Sequence, residues 1–564
     1  MRLAALDWLV IASYGVLTLA LGLRFAGRAG RGTQEFFLSG RTLPWWLLGT
    51  SMVATTFSTD TPNLVTDLVR TGGVSANWVW WAFLVTGMCT VFFYARLWRR
   101  SGVFTDMGFY ELRYSGRPAA FLRGFRALYL GVFFNVMIMA AVTLAAIKIG
   151  GVLLGLDRYA TVLVAGGITV VYSAGAGLWG VVVTDLLLFI VAMVGSIAAA
   201  VYALRQPEVG GLSGLVSNPA ITDRLPLLPD FTDWRIAVPI FVIPLAVQWW
   251  STWYPGAEPG GGGYVAQRML AARDERESMR AVLWFNLAHY ALRPWPWILV
   301  ALASLAVYPT LDSLAVAFPH VEATILRDDL AYPAMLVFLP TGLLGLVVAS
   351  LGAAYMSTIS THLNWGASYI VEDFYRRFLA PNREERHALQ AFQILLQIGA
   401  GTGSIFLLRW FWWRVNAWSE ISGMVVSFAV AVWFQFLHAR VGLAPLHPSA
   451  QLLIGVAVTS AVWLTVTWLT PPADRETLQS YYDRIRPYGR GWARVVDTSG
   501  GAPAAGGVAA GLAGWFLGCG AVYAALFATG YLLYGRPVAA AAAGFVAGVS
   551  ALGLFRVLPR VSFD

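Results

Sequence analysis

Apolar residues run along this chain in long blocks, separated by short segments in which arginine, glycine and proline gather. A block of about 20 apolar residues is long enough to cross the hydrocarbon of a bilayer as a helix. By that measure the pattern predicts about fourteen helices, near 4–24, 43–69, 77–97, 121–149, 159–175, 179–204 and 236–256, then near 279–307, 332–371, 387–409, 418–438, 450–470, 509–534 and 537–556. Two of them read as broken. "LPWWLLGTSMVATTFSTDTPNLVTDLVRTGG" passes mid-membrane through Thr55, Thr56, Ser58, Thr59, Asp60, Thr61, Pro62 and Asn63, where a helix facing lipid leaves its polar groups unsatisfied. Five spans later, "PLAVQWWSTWYPGAEPGGGGYVAQR" carries Pro255, Pro259 and the glycines 260 to 263. An unwound segment opening each of two five-helix halves is the pattern of an inverted-repeat transporter whose ligand sits at the breaks.

A third apolar span holds "GAAYMSTISTHLNW", with Ser357, Thr358, Ser360 and Thr361 inside five positions. Their helical i, i+3 and i+4 relations place a stripe of oxygen on one face. Serine and threonine in membrane helices often bond the carbonyl four residues back, which is the plain structural reading. A hard monovalent cation, which takes several oxygen ligands, is the functional one.

Composition then narrows the class. Of 564 residues, 58% are hydrophobic and 12% charged, against roughly 25% charged in soluble domains, so a polytopic membrane protein is expected. The net charge of +9 could point to nucleic acid, but its placement follows topology. Over the first nine spans, the loops near 24–41, 96–126, 268–280 and 376–386 hold nineteen arginines, and the alternate loops near 70, 148–158, 205–235 and 327 hold seven Lys and Arg. Positive loops stay in the cytoplasm, which predicts an outside N-terminus in an inner (plasma) membrane. The first apolar run lacks a small-residue cleavage site and reads as a retained span. Cys89 and Cys519 both fall in apolar runs, so no disulfide framework or thiolate metal site is indicated. The histidines at 289, 320, 362, 387, 438 and 447 are scattered and lack metalloenzyme spacing, which argues against an enzyme. A channel lacks its continuous polar lining or repeated pore loop.

Five pieces in order now carry a resemblance: "EFFLSGRTLPWW", "YELRYSGRPAAFLRGFRALY", "GLWGVVVTDLLLF", "QRMLAARDERESMRA" and "GLLGLVVASLGAAYMSTISTHLNWGASYIVEDFY". Over roughly residues 33 to 375 the chain resembles the sodium:solute symporters, which include bacterial proline and sialic acid carriers and sodium–sugar cotransporters. The resemblance implies an all-α integral membrane protein of the LeuT-type fold, with five helices repeated in inverted topology and accessory helices at both ends. It implies Na+ as the coupling ion. A first site would use the carbonyls of Ala54, Phe57 and Ala354 and the hydroxyls of Ser357 and Thr358. A second, present in some members, would use Asp185, Ser357, Ser360 and Thr361. Asp185 also has a structural reading, as a cap near its helix start after Gly180.

The expected function is sodium-coupled import of a small organic solute (sugar, amino acid or carboxylate) by alternating access, with a transport-deficient membrane sensor as the alternative. Asp60, Thr61, Asn63, Asn135, Gln248, Trp249 and Trp253 are candidate solute contacts, since an acid beside a helix break and half-buried aromatics suit a ligand cavity. No nucleic acid or obligate protein partner is expected. The division reads as an accessory helix over 1–32, a first repeat over 33–205, an external loop over 206–235, a second repeat over 236–412, and C-terminal accessory helices over 413–564 with a loop at 471–508. Two features depart from the family. Only one clear core span, near 387–409, follows Asp373 before the accessory helices, where the family has two, so the second repeat reads as one helix short, and a literal count leaves the Arg-rich loop 471–508 outside, against the charge rule. "WYPGAEPGGGG" is unusually glycine-rich, either for close approach of backbone to a ligand or as a flexible gate.

Overall fold

The computed structural model describes residues 3–29, 31–56, 58–251, 259–379, 403–487, 490–495 and 506–561. They are helical almost throughout. The main elements are α1 (Ala5–Ala29), α2 (Trp45–Thr55), α3 (Asp60–Gly72), α4 (Val74–Ser101), α5 (Gly116–Leu154), α6 (Arg158–Leu204) and α7 (Trp234–Gln248). They continue with α8 (Gly263–Ala271), α9 (Glu275–Val307), α10 (Leu343–Phe378), α11 (Ala417–Val432), α12 (Pro448–Leu469), α13 (Gly506–Leu533) and α14 (Pro537–Val557).

Among the described residues, eight helices are long and apolar enough to cross a membrane. Part of the difference from fourteen is physical: the predicted span 43–69 is interrupted, its halves α2 and α3 being too short to cross alone, and α7, in the region of 236–256, is a shorter apolar helix. The predicted boundary between 159–175 and 179–204 appears inside α6 at Gly177, whose φ of 55° and ψ of −179° interrupt the helix. Most of the predicted span 387–409 lies outside the described residues, and so does the question of a missing helix.

Local chemistry accounts for both breaks. α2 ends at Thr55, where Thr56 Oγ1 donates to the carbonyls of Met52 and Val53 at 3.1 and 2.8 Å, competing with the helix for its own acceptors. Pro62 sits in the first turn of α3, where its missing amide would have had no helical partner anyway. At the second break, Gly260 and Gly261 adopt φ of 86° and 92°, conformations that favour glycine. A Cβ at Gly260 would lie 2.9 Å from the Tyr94 ring, and Trp98 Nε1 donates to the Gly260 carbonyl at 2.9 Å. The glycines thus seat irregular backbone tightly against α4.

The two broken helices are joined. Leu43 and Ala272 form an isolated parallel bridge, with Leu43 N donating to Ala271 O at 3.4 Å and Arg273 N to Leu43 O at 3.2 Å. Beside it Trp45 N donates to Glu277 Oε2 at 2.8 Å. The start of α2 and the end of α8 are therefore tied by main chain.

Ion pairs gather at both ends of the bundle. Arg70 of α3 meets Asp328 at 2.8 Å, and Lys148 of α5 meets Asp329 at 2.5 Å. At the other end Arg100 pairs with Glu275 at 2.8 Å, and Arg123 with Asp373 and Glu111 at 2.8 and 2.6 Å. The loop after α12 belongs to this second end: Arg100 Nη1 donates to Ile485 O at 3.4 Å, Arg113 lies 4.7 Å from the Trp492 ring, and Asp474 N donates to Ser115 Oγ at 3.1 Å. The loop shares the end of the arginine-rich segments, so the charge rule prevails over the literal count of spans.

α14 presents Val538, Phe545 and Phe555, each more than 70% exposed, a surface suited to lipid. α1 lies on the opposite logic: between residues 5 and 18 its buried residues are Asp7, Tyr14 and Thr18, while Leu9 and Val16 face outward. Asp7 Oδ1 accepts from Gly342 N at 2.6 Å and Gly345 N at 2.8 Å, so the accessory helix caps the start of α10.

Candidate functional site

The oxygen stripe of α10 faces protein. Ser357, Thr358, Ser360 and Thr361 are all buried, and three of them reach the end of α2 or its neighbours. Thr358 Oγ1 donates to the Thr55 carbonyl at 3.2 Å. Thr361 Oγ1 lies 3.5 Å from Thr55 Oγ1. Ser357 donates to Asp185 Oδ1. Ala54 and Ala354 are fully buried beside these contacts, and Phe57 lies outside the described residues. The carbonyl met by Thr358 is that of Thr55, one position from the expected Ala54. It is free to accept because α2 stops there, which leaves its last carbonyls without helical donors.

Asp185 sits far inside α6 and is fully buried. Its carboxylate takes Ser357 on one oxygen and Ser51 on the other, the latter at 2.5 Å, so it points into the bundle and caps nothing. A buried carboxylate needs an opposing charge, and Arg268 of α8 supplies one through a bridging hydroxyl. The fully buried guanidinium donates from Nε to Ser51 Oγ at 3.3 Å, from Nη2 to Thr361 Oγ1 at 3.0 Å and from Nη1 to Gln267 Oε1 at 2.9 Å. Four helices, α2, α6, α8 and α10, thereby meet around one carboxylate, one guanidinium and the hydroxyls of Ser51, Ser357 and Thr361.

A second polar cluster lies at the break between α2 and α3. Arg293 of α9, fully buried, donates from Nη1 to the Val53 carbonyl at 3.0 Å and Thr56 Oγ1 at 3.3 Å, and from Nη2 to His289 Nδ1 at 2.7 Å. Arginine cannot accept, so Nδ1 of His289 is the acceptor there. Thr61 Oγ1 donates to the Thr56 carbonyl at 3.0 Å, and Asp60 opens α3. Asn63 is buried, and its side-chain amide has no partner among the described residues. A buried amide costs about 1–3 kcal/mol unpaired, which suits a group reserved for a ligand.

The other expected solute residues part company. Asn135 is committed to α10, donating to the His362 carbonyl at 3.0 Å and accepting from His362 Nδ1 at 2.7 Å. Gln248 donates to Val79 O at 3.0 Å. Trp249 packs against Trp515 of accessory helix α13, ring centres 5.5 Å apart. Trp253 lies outside the described residues. Sequence reasoning missed Arg268, His289 and Arg293. His289 and Arg293 stand inside the apolar span near 279–307, and ionisable residues within membrane spans are functional by default; Arg268 falls in the segment read as an arginine-rich loop.

The family model for the sodium:solute symporter family matches residues 36–401. The chain belongs to that family. This symporter is 23% identical over 480 residues to the sodium/glucose cotransporter of Vibrio parahaemolyticus, covering 77% of this chain and 86% of that one. It is 24% identical over 496 residues to the sodium/mannose cotransporter of Bos taurus, covering 78% and 80%. Its fold is similar to the solved outward-open state of a Na+-coupled sialic acid symporter, with a TM-score of 0.68 at 19% identity over 84% of this chain and 99% of the other. The fold is thus that of the LeuT type. The symporter is a multi-pass membrane transporter, sodium is its coupling ion, and its cargo is a small organic solute. It is not an enzyme, and the sensor alternative gives way to sodium-coupled symport.

Proposed function

We propose that the symporter binds its driving ion where α10 crosses the end of α2, and its solute where α2 and α3 part. The first sodium takes the hydroxyls of Ser357 and Thr358 with carbonyls of Ala54, Phe57 and Ala354, to which Thr55 is added. The contact between Thr358 and the Thr55 carbonyl carries this reading, because it joins the hydroxyl stripe to the open end of a broken helix. A second ion uses Asp185, Ser357, Ser360 and Thr361. There Arg268 is the resident counter-charge, and an incoming ion shares the carboxylate with the guanidinium.

The solute is a hydroxyl-rich molecule of sugar type. Asp60, Asn63, Thr61 and the Arg293–His289 pair supply donors and acceptors for hydroxyls at the first break, and the sugar cotransporters named above support the choice. Gln248, Trp249 and Asn135, engaged by Val79, Trp515 and His362, frame the breaks rather than read the solute, and Trp253 stands as a further candidate contact. The arginine asymmetry supports an outside N-terminus in a plasma (inner) membrane.

Sodium at the first site ties α2 to α10 and favours the shape open to solute. Its loss to a sodium-poor side unties them, and the bundle resets. One ion moving through about 100 mV and a tenfold gradient gives about 3.7 kcal/mol, enough for roughly 500-fold accumulation of a neutral solute, and two ions give roughly 10⁵-fold. Sodium-driven uptake in proteoliposomes tests the reading, with sugars, amino acids and carboxylates compared. Ser357→Ala, which touches both ion sites, should raise the half-saturating sodium concentration strongly; an unchanged value refutes the assignment.

A further inference from the structure

α1 lies outside the ten-helix repeat, yet it turns its polar stripe inward. Asp7, Tyr14 and Thr18 follow one another at i+7 and i+4, which stacks them on one helix face. Asp7 fixes the register of that face: its carboxylate holds the amides of Gly342 and Gly345 at the start of α10, and a Cβ at Gly345 would lie 2.5 Å from Asp7 Cα. Eleven positions separate Asp7 from Thr18, and the same eleven separate Gly345 from Met356. Tyr14 and Thr18 thus arrive beside the part of α10 that carries Ser357.

A small cavity lies there. Its volume is about 20 Å³, and it is lined by Tyr14, Thr18, Thr184, Leu188, Ala353, Met356 and Ser357. That is room for one water, which needs roughly 10–15 Å³ and two to four polar partners. Hydroxyls from three helices line it: Tyr14 and Thr18 from α1, Thr184 from α6 and Ser357 from α10. Thr184 and Thr18 already donate to carbonyls of their own helices, which leaves their oxygens able to accept. The Tyr14 hydroxyl is buried with no hydrogen-bond partner among the described residues, although a buried phenol normally finds one. Ser357 forms the wall between this cavity and Asp185, to which it donates.

We propose that this cavity is a hydrated antechamber of the Asp185 cation site, and that accessory helix α1 belongs to the ion-binding machinery. Tyr14 is a positioning residue: it holds one water that lends an oxygen to a sodium ion at Asp185 through the gap beside Ser357. The inference rests on the reading of Asp185 as a cation site. An ion that keeps one water ligand loses less of its hydration on entering the bundle, and a phenol is a donor and acceptor that can hold that water without adding charge.

Tyr14→Phe removes only the hydroxyl, and Thr18→Val removes the second one from α1. The purified full chain is titrated with sodium chloride against choline chloride at fixed ionic strength, following the rise in unfolding midpoint. A Thr358→Ala background lets the remaining response report the Asp185 site. Tyr14→Phe should raise the half-saturating sodium concentration about threefold to tenfold, as expected for one lost water-mediated bond, with the midpoint in choline unchanged. Thr18→Val should raise it less. A purely structural role for Tyr14 would lower the choline midpoint without moving half-saturation, and that result overturns the proposal. Wild-type sodium responses in both α1 variants, with the response lost in Asp185→Asn, overturn it while leaving the Asp185 site standing. A normal response in Asp185→Asn removes both.

Discussion

Thr358 Oγ1 lies 3.2 Å from the main-chain oxygen of Thr55 and donates to it. One residue belongs to a continuous helix and the other to the last turn of a broken one, so the distance between them reports whether the two elements are joined.

Thr358→Ala deletes the donor and one oxygen of the proposed first ion site, while Thr358→Ser keeps both. The alanine variant should lose about tenfold or more in apparent sodium affinity, in line with 1.5–3 kcal/mol for a hydrogen bond to a charged partner. The serine variant should stay near wild type. Initial uptake rates over a sodium titration measure both, and equal losses in the two variants would point to the methyl group's packing instead.

Arg268 is the nearest compensation for a carboxylate sealed inside four helices. Arg268→Gln should destabilise the sodium-free protein by roughly 3–5 kcal/mol, the cost of leaving one buried charge without its partner. Sodium should recover more of that stability in the variant than in the wild type, because the ion then meets an uncompensated Asp185. Thermal unfolding in detergent, with and without sodium, reads the difference; a variant that gains no more from sodium than the wild type contradicts the shared use of Asp185.

The contact between Arg70 and Asp328 holds the far end of α3 against the segment before α10. Arg70 is buried and also donates to Ser304 Oγ at 3.1 Å and Tyr308 O at 2.9 Å. Asp328→Arg should open this end and increase labelling of a cysteine placed at Thr66, and the swap Arg70→Asp with Asp328→Arg should restore part of the protection. No recovery in the swap would assign the closure to the other bonds of Arg70.

Gly260→Ala should cost about 1–3 kcal/mol, because its φ of 86° strains any other residue and the new Cβ meets the Tyr94 ring. Gly167→Ala, where the Cβ would meet nothing within 4 Å, should be neutral or mildly stabilising. Unfolding midpoints of the two variants make the comparison.

The breaks were legible because hydroxyls and prolines in an apolar run violate a strong rule of the bilayer, and the hydroxyl stripe of α10 announced itself through its spacing. Asp185 was legible as a candidate, but its direction was not, since a cap and an inward ligand look alike in one dimension. Arg268 and Arg293 were passed over for the opposite reason. Arg268 counts as a marker of topology and Arg293 stands unremarked within a span, and a guanidinium held by hydroxyls and carbonyls inside the bundle has the same letter as one in a loop. Tyr14 and Asp7 could not be placed before α1 was seen to run beside α10, because helix pairing between distant segments leaves no periodic trace in either one.

The parallel bridge between Leu43 and Ala272 works as a yoke. Made of amides and carbonyls, it tolerates nearly any exchange of side chains at those positions, whereas a proline at Leu43 or Arg273 would remove the amide that donates one of its two bonds. The two levers it harnesses carry opposite ends of the chemistry, Ser51 and Thr55 on one and Arg268 on the other, so a tilt begun by one passes to the other without waiting for cargo to bridge them.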